Sequence, residues 1–215
     1  MSRKESKLTM SIINLQYKID GFLKIYDPNT KEVFVDKKNA INYENMSDAL
    51  ANTLSDRGIG YIYYMAFGNG GASVDDTGII TYLPPNTTGQ NASLYNQTYR
   101  KVVDDRSVFN DDPTRNKMTV LHTTGLTYTD ILVQCLLDYG EPSGQAAFDN
   151  STQMEGTRVF DEIGLLAYYG TDTNGQTITR LLTHVIFHPV QKSLNRQIQI
   201  DYTIRIQSLT NQLTI

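Results

Sequence analysis

From Ile198 to Gln207 apolar and polar residues alternate without a break. Ile198, Ile200, Tyr202, Ile204 and Ile206 take one side, and Gln199, Asp201, Thr203 and Arg205 take the other. An apolar helix face repeats every three to four residues, so a period of two fixes this segment as a strand with one face in a core and one in water. A strand wet on one side belongs to an antiparallel sheet, which needs partners of the same kind.

Those partners are legible upstream. Tyr128 to Leu137 carries Ile131, Val133, Cys135 and Leu137 on one side. Met118–Thr123, Val159–Leu166 and Ile178–His188 read as further strands, Val159–Leu166 the least regular of them. Gly21 to Lys38 reads as a hairpin turning at Asp27-Pro28-Asn29-Thr30, because Asp bonds its own backbone and Pro presets φ. Asp172-Thr173-Asn174-Gly175 is a second hairpin turn. Ile59 to Phe67 is apolar or aromatic on both faces, which predicts a central strand covered on both sides.

One helix interrupts the strands. Ser47 to Arg57 has Ser47 as N-cap, Asp48 in the first turn, a Met46/Leu50/Leu54 stripe and Gly58 as the stop. With many strands and no strand–helix–strand rhythm, the expected fold is mostly β: an antiparallel β-sandwich with one short α-helix and long inter-strand loops. Residues 1–20 are expected to form an N-terminal arm. Residues 21–215 are expected to form a single β-sandwich domain, with a loop-rich insertion at about 68–116 that includes Gly68-Asn69-Gly70-Gly71, Pro84-Pro85 and several acidic pairs.

Composition narrows the function. The net charge is -4, and the basic run Arg3-Lys4 with Lys7 reads as a solvated tail, so no nucleic-acid partner is expected. Cys135 is the single cysteine, which rules out an internal disulfide; in an apolar strand it reads as a small buried hydrophobe, and a reduced compartment is the natural inference. The polar start has no apolar h-region and no stretch approaches the roughly 20 apolar residues of a membrane helix, so neither a signal peptide nor a membrane partner is expected. The Asn-x-Ser/Thr triplets at Asn45, Asn86, Asn91, Asn96 and Asn150 then reflect Asn/Thr richness.

No catalytic, cofactor-binding or metal-ligating residue is expected, and the chain is not expected to be an enzyme. His184 and His188 have the spacing of a helical zinc pair, but their segment is a strand, where four residues span roughly 13 Å. Asp172 opens like a calcium loop, but Gly175 comes too early and Thr183 stands where a bidentate Glu is needed. Asp75-Asp76, Asp104-Asp105 and Asp111-Asp112 read as solvated loop acids. Gly68-Asn69-Gly70-Gly71 lacks the Lys-Ser/Thr of a phosphate loop, and no Gly-x-Ser-x-Gly elbow occurs.

Four segments together resemble a family of virion structural proteins from large contractile-tailed bacteriophages: Gly21 to Asn45, Phe67 to Asp105, Cys135 to Asn150 and Leu181 to Ile206. The resemblance spans most of the chain and rests on these phrases, not on a mechanistic motif. It implies a many-copy particle protein, folded in the host cytoplasm and located in the virion, that contacts itself as a homo-oligomer. Connector, tail-terminator and capsid proteins are the other partners it implies. The neck or collar at the head–tail junction is the favoured position, with capsid decoration and a tail or baseplate part as alternatives. A receptor- or glycan-binding module is the reading of another class, and it expects a concave patch of tyrosines.

Overall fold

Alternation of the kind seen at Ile198–Gln207 needs a hydrogen-bonded neighbour on each side, and the computed structural model, which describes residues 15–142 and 159–210, supplies both. Strand β1 (Leu15–Tyr26) runs antiparallel to the last strand, β13 (Ile198–Thr210), from Leu15↔Thr210 to Tyr26↔Gln199. Strand β9 (Tyr128–Leu137) lines the other side of β13 from Ile198↔Leu137 to Gln207↔Tyr128. Adding β2 (Val33–Lys38) and β8 (Lys117–His122) at the edges gives a five-stranded sheet in the order β2-β1-β13-β9-β8.

The second sheet runs β3-β12-β10-β4-β7, with β11 also on β10. Its strands are β3 (Ala40–Ile41), β4 (Ile62–Gly68), β7 (Gln97–Val102), β10 (Val159–Thr171), β11 (Thr177–Leu181) and β12 (Thr183–Gln191). A separate hairpin, β5 (Ala72–Val74) with β6 (Ile80–Tyr82), forms its own two-stranded sheet beside β12.

The two sheets face each other across one core. Leu23, Ile25, Val133, Cys135, Leu137, Ile200 and Tyr202 come from the first sheet; Met65, Phe67, Phe160, Ile163, Leu165 and Phe187 come from the second. Truncating such a side chain to alanine costs about 2–5 kcal/mol. Cys135 is fully buried here, and burial pushes its thiol up to about 12. The mostly β, antiparallel sandwich is therefore the fold of this chain, with one helix among the described residues.

Several local expectations change. The arm expected over 1–20 is already strand from Leu15; residues 1–14 and the Asn150 triplet lie outside the described residues. Only Ile19 among residues 16–20 packs toward the core, so the strand pattern shows through pairing with β13 and not through local alternation. The helix, α1 (Tyr43–Leu54), begins four residues earlier than Ser47. Its N-cap is Asn42, whose side chain accepts the Asn45 amide, while Ser47 donates to the Glu44 carbonyl from the second turn. Met46 is buried and Leu50 packs on the core, but Leu54 is 87% exposed, so the stripe reaches the core only over its first two members.

Val159–Leu166, the least regular strand in sequence, lies at the centre of its sheet. It extends to Thr171 and is bonded to β4 on one side and to β11 and β12 on the other. Its register shifts between Phe160 and Glu162, which breaks the period of two that sequence reading relies on. Ile178–His188 is divided at Leu182, yet Leu182 donates to Leu165, so β11 and β12 flank β10 in succession. Ile59–Phe67 is covered on both faces as expected, from Ile62 onward.

Candidate functional site

The second sheet has two chemically distinct ends, set by the run of β4 and β10. At one end lie Gly68 and Glu162; at the other lie Ile62 and Ala167.

The first end is a buried polar clasp. The register shift in β10 leaves Ile163, Leu165 and Ala167 in the core while Leu166 joins a second apolar cluster with Ala66, Leu94 and Leu181 on the outer face. Glu162 shares that outer face, beneath the segment that leads to β7. Its Oε1 accepts the Gly70 amide (3.1 Å) and the Asn96 amide (2.8 Å), and its Oε2 accepts the Tyr95 amide (2.9 Å). His184 Nε2 lies 3.0 Å from the same Oε2. His184 Nδ1 accepts the Asn86 amide at 2.9 Å, which leaves Nε2–H as the donor to Glu162. Next along the strand, Asp161 accepts the amides of Gly71 (2.9 Å) and Ala72 (2.8 Å).

Two adjacent carboxylates thus bond amides on both arms of the 68–97 loop. Asn69 and Asn96 zip the arms together, backbone to backbone at 3.2 Å and side chain to side chain at 2.6 Å. The approach is close enough to require glycine: a Cβ on Gly68 would stand 2.4 Å from Glu162 Oε1 and 2.5 Å from the Asn96 carbonyl. Burial raises the Asp161 carboxyl to about 6, against its amide donors, with the neighbouring Glu162 charge adding to the rise. Burial also works to raise Glu162, but His184 and the three amides outweigh it and hold the carboxyl below its ordinary value.

The second end is open. A groove of about 930 Å³ runs between the end of α1, the loop after β7 and the β10–β11 turn. Tyr61 stacks on Tyr168 at 5.3 Å between ring centres, and Tyr63 meets Tyr64 edge-on at 4.6 Å. The Arg106 guanidinium lies over Tyr61 at 5.3 Å and the Arg100 guanidinium over Tyr64 at 4.4 Å. Arg106 is also paired with Asp104 at 3.0 Å, and Tyr63 bonds the Ser107 hydroxyl at 2.8 Å. Arg100 has no carboxylate partner among the described residues. At the mouth, Val108 is 91% and Phe109 74% exposed.

The residues weighed from sequence fall as follows. His184 is buried in the clasp and His188 is exposed, bonded through Nδ1 to the Tyr82 hydroxyl at 3.1 Å. They share a strand, and among the described residues no three His, Cys, Asp or Glu side chains gather as a metal site would require. Asp75, Asp112 and Asp172 each accept bonds from residues two to four places ahead, so they cap turns. Sequence reading missed Asp161, Glu162 and the two guanidinium groups. The available signal was Asp161-Glu162 inside an otherwise apolar strand; the arginines meet the tyrosines only in space.

An antiparallel β-sandwich with a sealed polar clasp at one end of a sheet and an aromatic, guanidinium-braced groove at the other is the class of protein these observations define. Comparison with protein-family models, with curated proteins and with solved structures yields no match.

Proposed function

We propose that this chain is a structural virion protein of a tailed phage, part of the neck or collar at the head–tail junction. In this reading it works through homo-oligomeric contacts and contacts with connector, tail-terminator or capsid proteins. The observation that carries the reading is where the exposed apolar side chains sit. Leu54, Ile79, Val108, Phe109 and Val120 are all well exposed, and they lie at a helix end, on loops and on the edge strand β8, outside the packed core. Apolar side chains scattered singly are ordinary on a surface, so the reading leans most on the adjacent pair Val108 and Phe109, an apolar rim at the groove mouth of the kind that another protein covers. A rigid two-sheet core carrying such loops suits a subunit of a ring or lattice.

A bare aromatic platform would favour the glycan-binding reading. Here the Tyr61 and Tyr64 rings already engage Tyr168, Tyr63 and the two guanidinium groups, which leaves less ring surface for a sugar. The deciding experiment is gold-labelled antibody imaging of intact particles. Label at the head–tail junction is expected. Label over the head or baseplate would move the subunit to one of the alternative positions, and unlabelled particles would overturn the virion assignment.

A further inference from the structure

We infer that copies of this chain join head to tail, the β5–β6 hairpin of one seating in the tyrosine–arginine groove of the next. The inference rests on the assembly reading and names the contact. The hairpin leaves the sandwich beside the clasp, since its first residue, Ala72, is bonded to Asp161. The groove opens at the other end of the same strands. From Ile62 to Gly68, β4 covers roughly 20 Å at 3.3 Å per residue, so the tyrosine floor of the groove lies toward the opposite pole, with Arg100 reaching into it from mid-strand, where it pairs with Ala66. A subunit with a plug at one pole and a socket at the other makes a heterologous contact, which closes into a ring or continues as a helix.

Plug and socket match in chemistry. The hairpin tip carries Asp75 and Asp76. Asp75 spends its Oδ1 on the turn, accepting the Thr77 and Ile79 amides, while Asp76 is exposed at the tip beside it. Val74, Ile79 and Tyr82 on the same hairpin are exposed. The socket offers Arg100, braced flat on Tyr64 with its in-plane N–H donors unclaimed by any carboxylate among the described residues, and an apolar rim of Val108 and Phe109. A stacked guanidinium is pre-organised to take a carboxylate. The groove is at the upper end of the roughly 300–1,000 Å³ of small-molecule pockets, and it is open, as a two-stranded plug requires.

The test uses Arg100→Glu and Asp76→Arg in the full chain, followed by sedimentation velocity over a concentration series, with thermal unfolding to check the fold. Each single reversal should weaken self-association roughly tenfold to a hundredfold. An equimolar mixture of the two variants should associate again. In the mixture the carboxylate introduced into one variant's socket meets the guanidinium introduced on the other's hairpin, and the contact on the opposite side of each subunit keeps its native Arg100 and Asp76. Self-association that ignores both reversals would overturn this contact. So would two folded, non-associating variants that stay apart on mixing, or a wild-type chain monomeric throughout the series. None of these results bears on particle labelling, so the contact and the virion assignment fail separately.

Discussion

The two ends of the second sheet are built from the same strands and treat polarity in opposite ways. At the clasp, Asp161, Glu162 and His184 are buried, and every acceptor named there faces a loop amide or the ring N–H of His184 on β12. At the groove, tyrosine and arginine side chains stack on one another, Arg100 has no carboxylate partner among the described residues, and apolar Val108 and Phe109 face water. Buried polar groups are costly when any member loses its partner, whereas exposed ones lose little. The clasp is thus a stability element that fixes the loop root, and the groove is a surface whose removal the fold tolerates.

The sharpest test of that contrast is Glu162→Ala. It strands three amides and the His184 N–H at once, and should cost about 4 kcal/mol in urea unfolding. A loss under about 1 kcal/mol would show that the clasp does not hold the loop. Gly68→Ala should follow at about 2–3 kcal/mol, since its Cβ would meet Glu162 and the Asn96 backbone, neither of which can retreat.

Next comes a pH effect confined to the clasp. Asp161 titrates near 6 in the fold against 3.8 unfolded, so its contribution is fully present below 3.8 and is lost as pH rises through about 6. Glu162 works the other way, contributing above 4.5 and losing that contribution as pH falls through its lowered folded value. Replacing Asp161 by Asn removes the first slope alone. The stability advantage of wild type over Asp161→Asn should therefore shrink by about 2–3 kcal/mol between pH 4 and pH 7. Parallel curves would place the proton elsewhere.

The smallest effects belong to the groove. Tyr63→Phe loses one hydroxyl contact to Ser107 and should cost about 1 kcal/mol. Arg100→Ala should cost about 1 kcal/mol, the worth of a half-buried cation over a ring. A groove variant as destabilising as Glu162→Ala would erase the distinction between the two poles.

The legibility of the sequence follows the same division. Strands β13 and β9 of the first sheet could be read directly, because each turns an alternating apolar face to the core, whereas the start of β1 shows only through its pairing with β13. Strand β10 could not be read for its true weight, because it is buried on both faces and its register shifts at the clasp, so alternation does not mark it and its one polar mark, Asp161-Glu162, falls where a core strand is not expected to carry charge. The helix start moved because Asn42 caps through its own side chain while also bonding the Gly89 carbonyl, a partner 47 residues away. Strand β7, placed within the irregular insertion, gains its strand character from pairing with β4. The groove left no linear trace, since Tyr61, Arg100, Arg106 and Tyr168 meet only through pairing between strands distant in the chain.

The pairing of β1 with β13 also sets the order in which the molecule can be completed. Tyr26 and Asp201, hydrogen-bonded across that ladder, are 175 residues apart. At roughly 5–20 residues per second of synthesis, β1 waits about 9–35 s for its partner to be made. Throughout that interval β2 satisfies one side of β1 while the other presents a bare row of amides and carbonyls next to Leu23 and Ile25. A nascent chain in this condition is a template for stray strand pairing, so crowding on a polysome or a slow stretch of message late in translation should lower the yield of native protein.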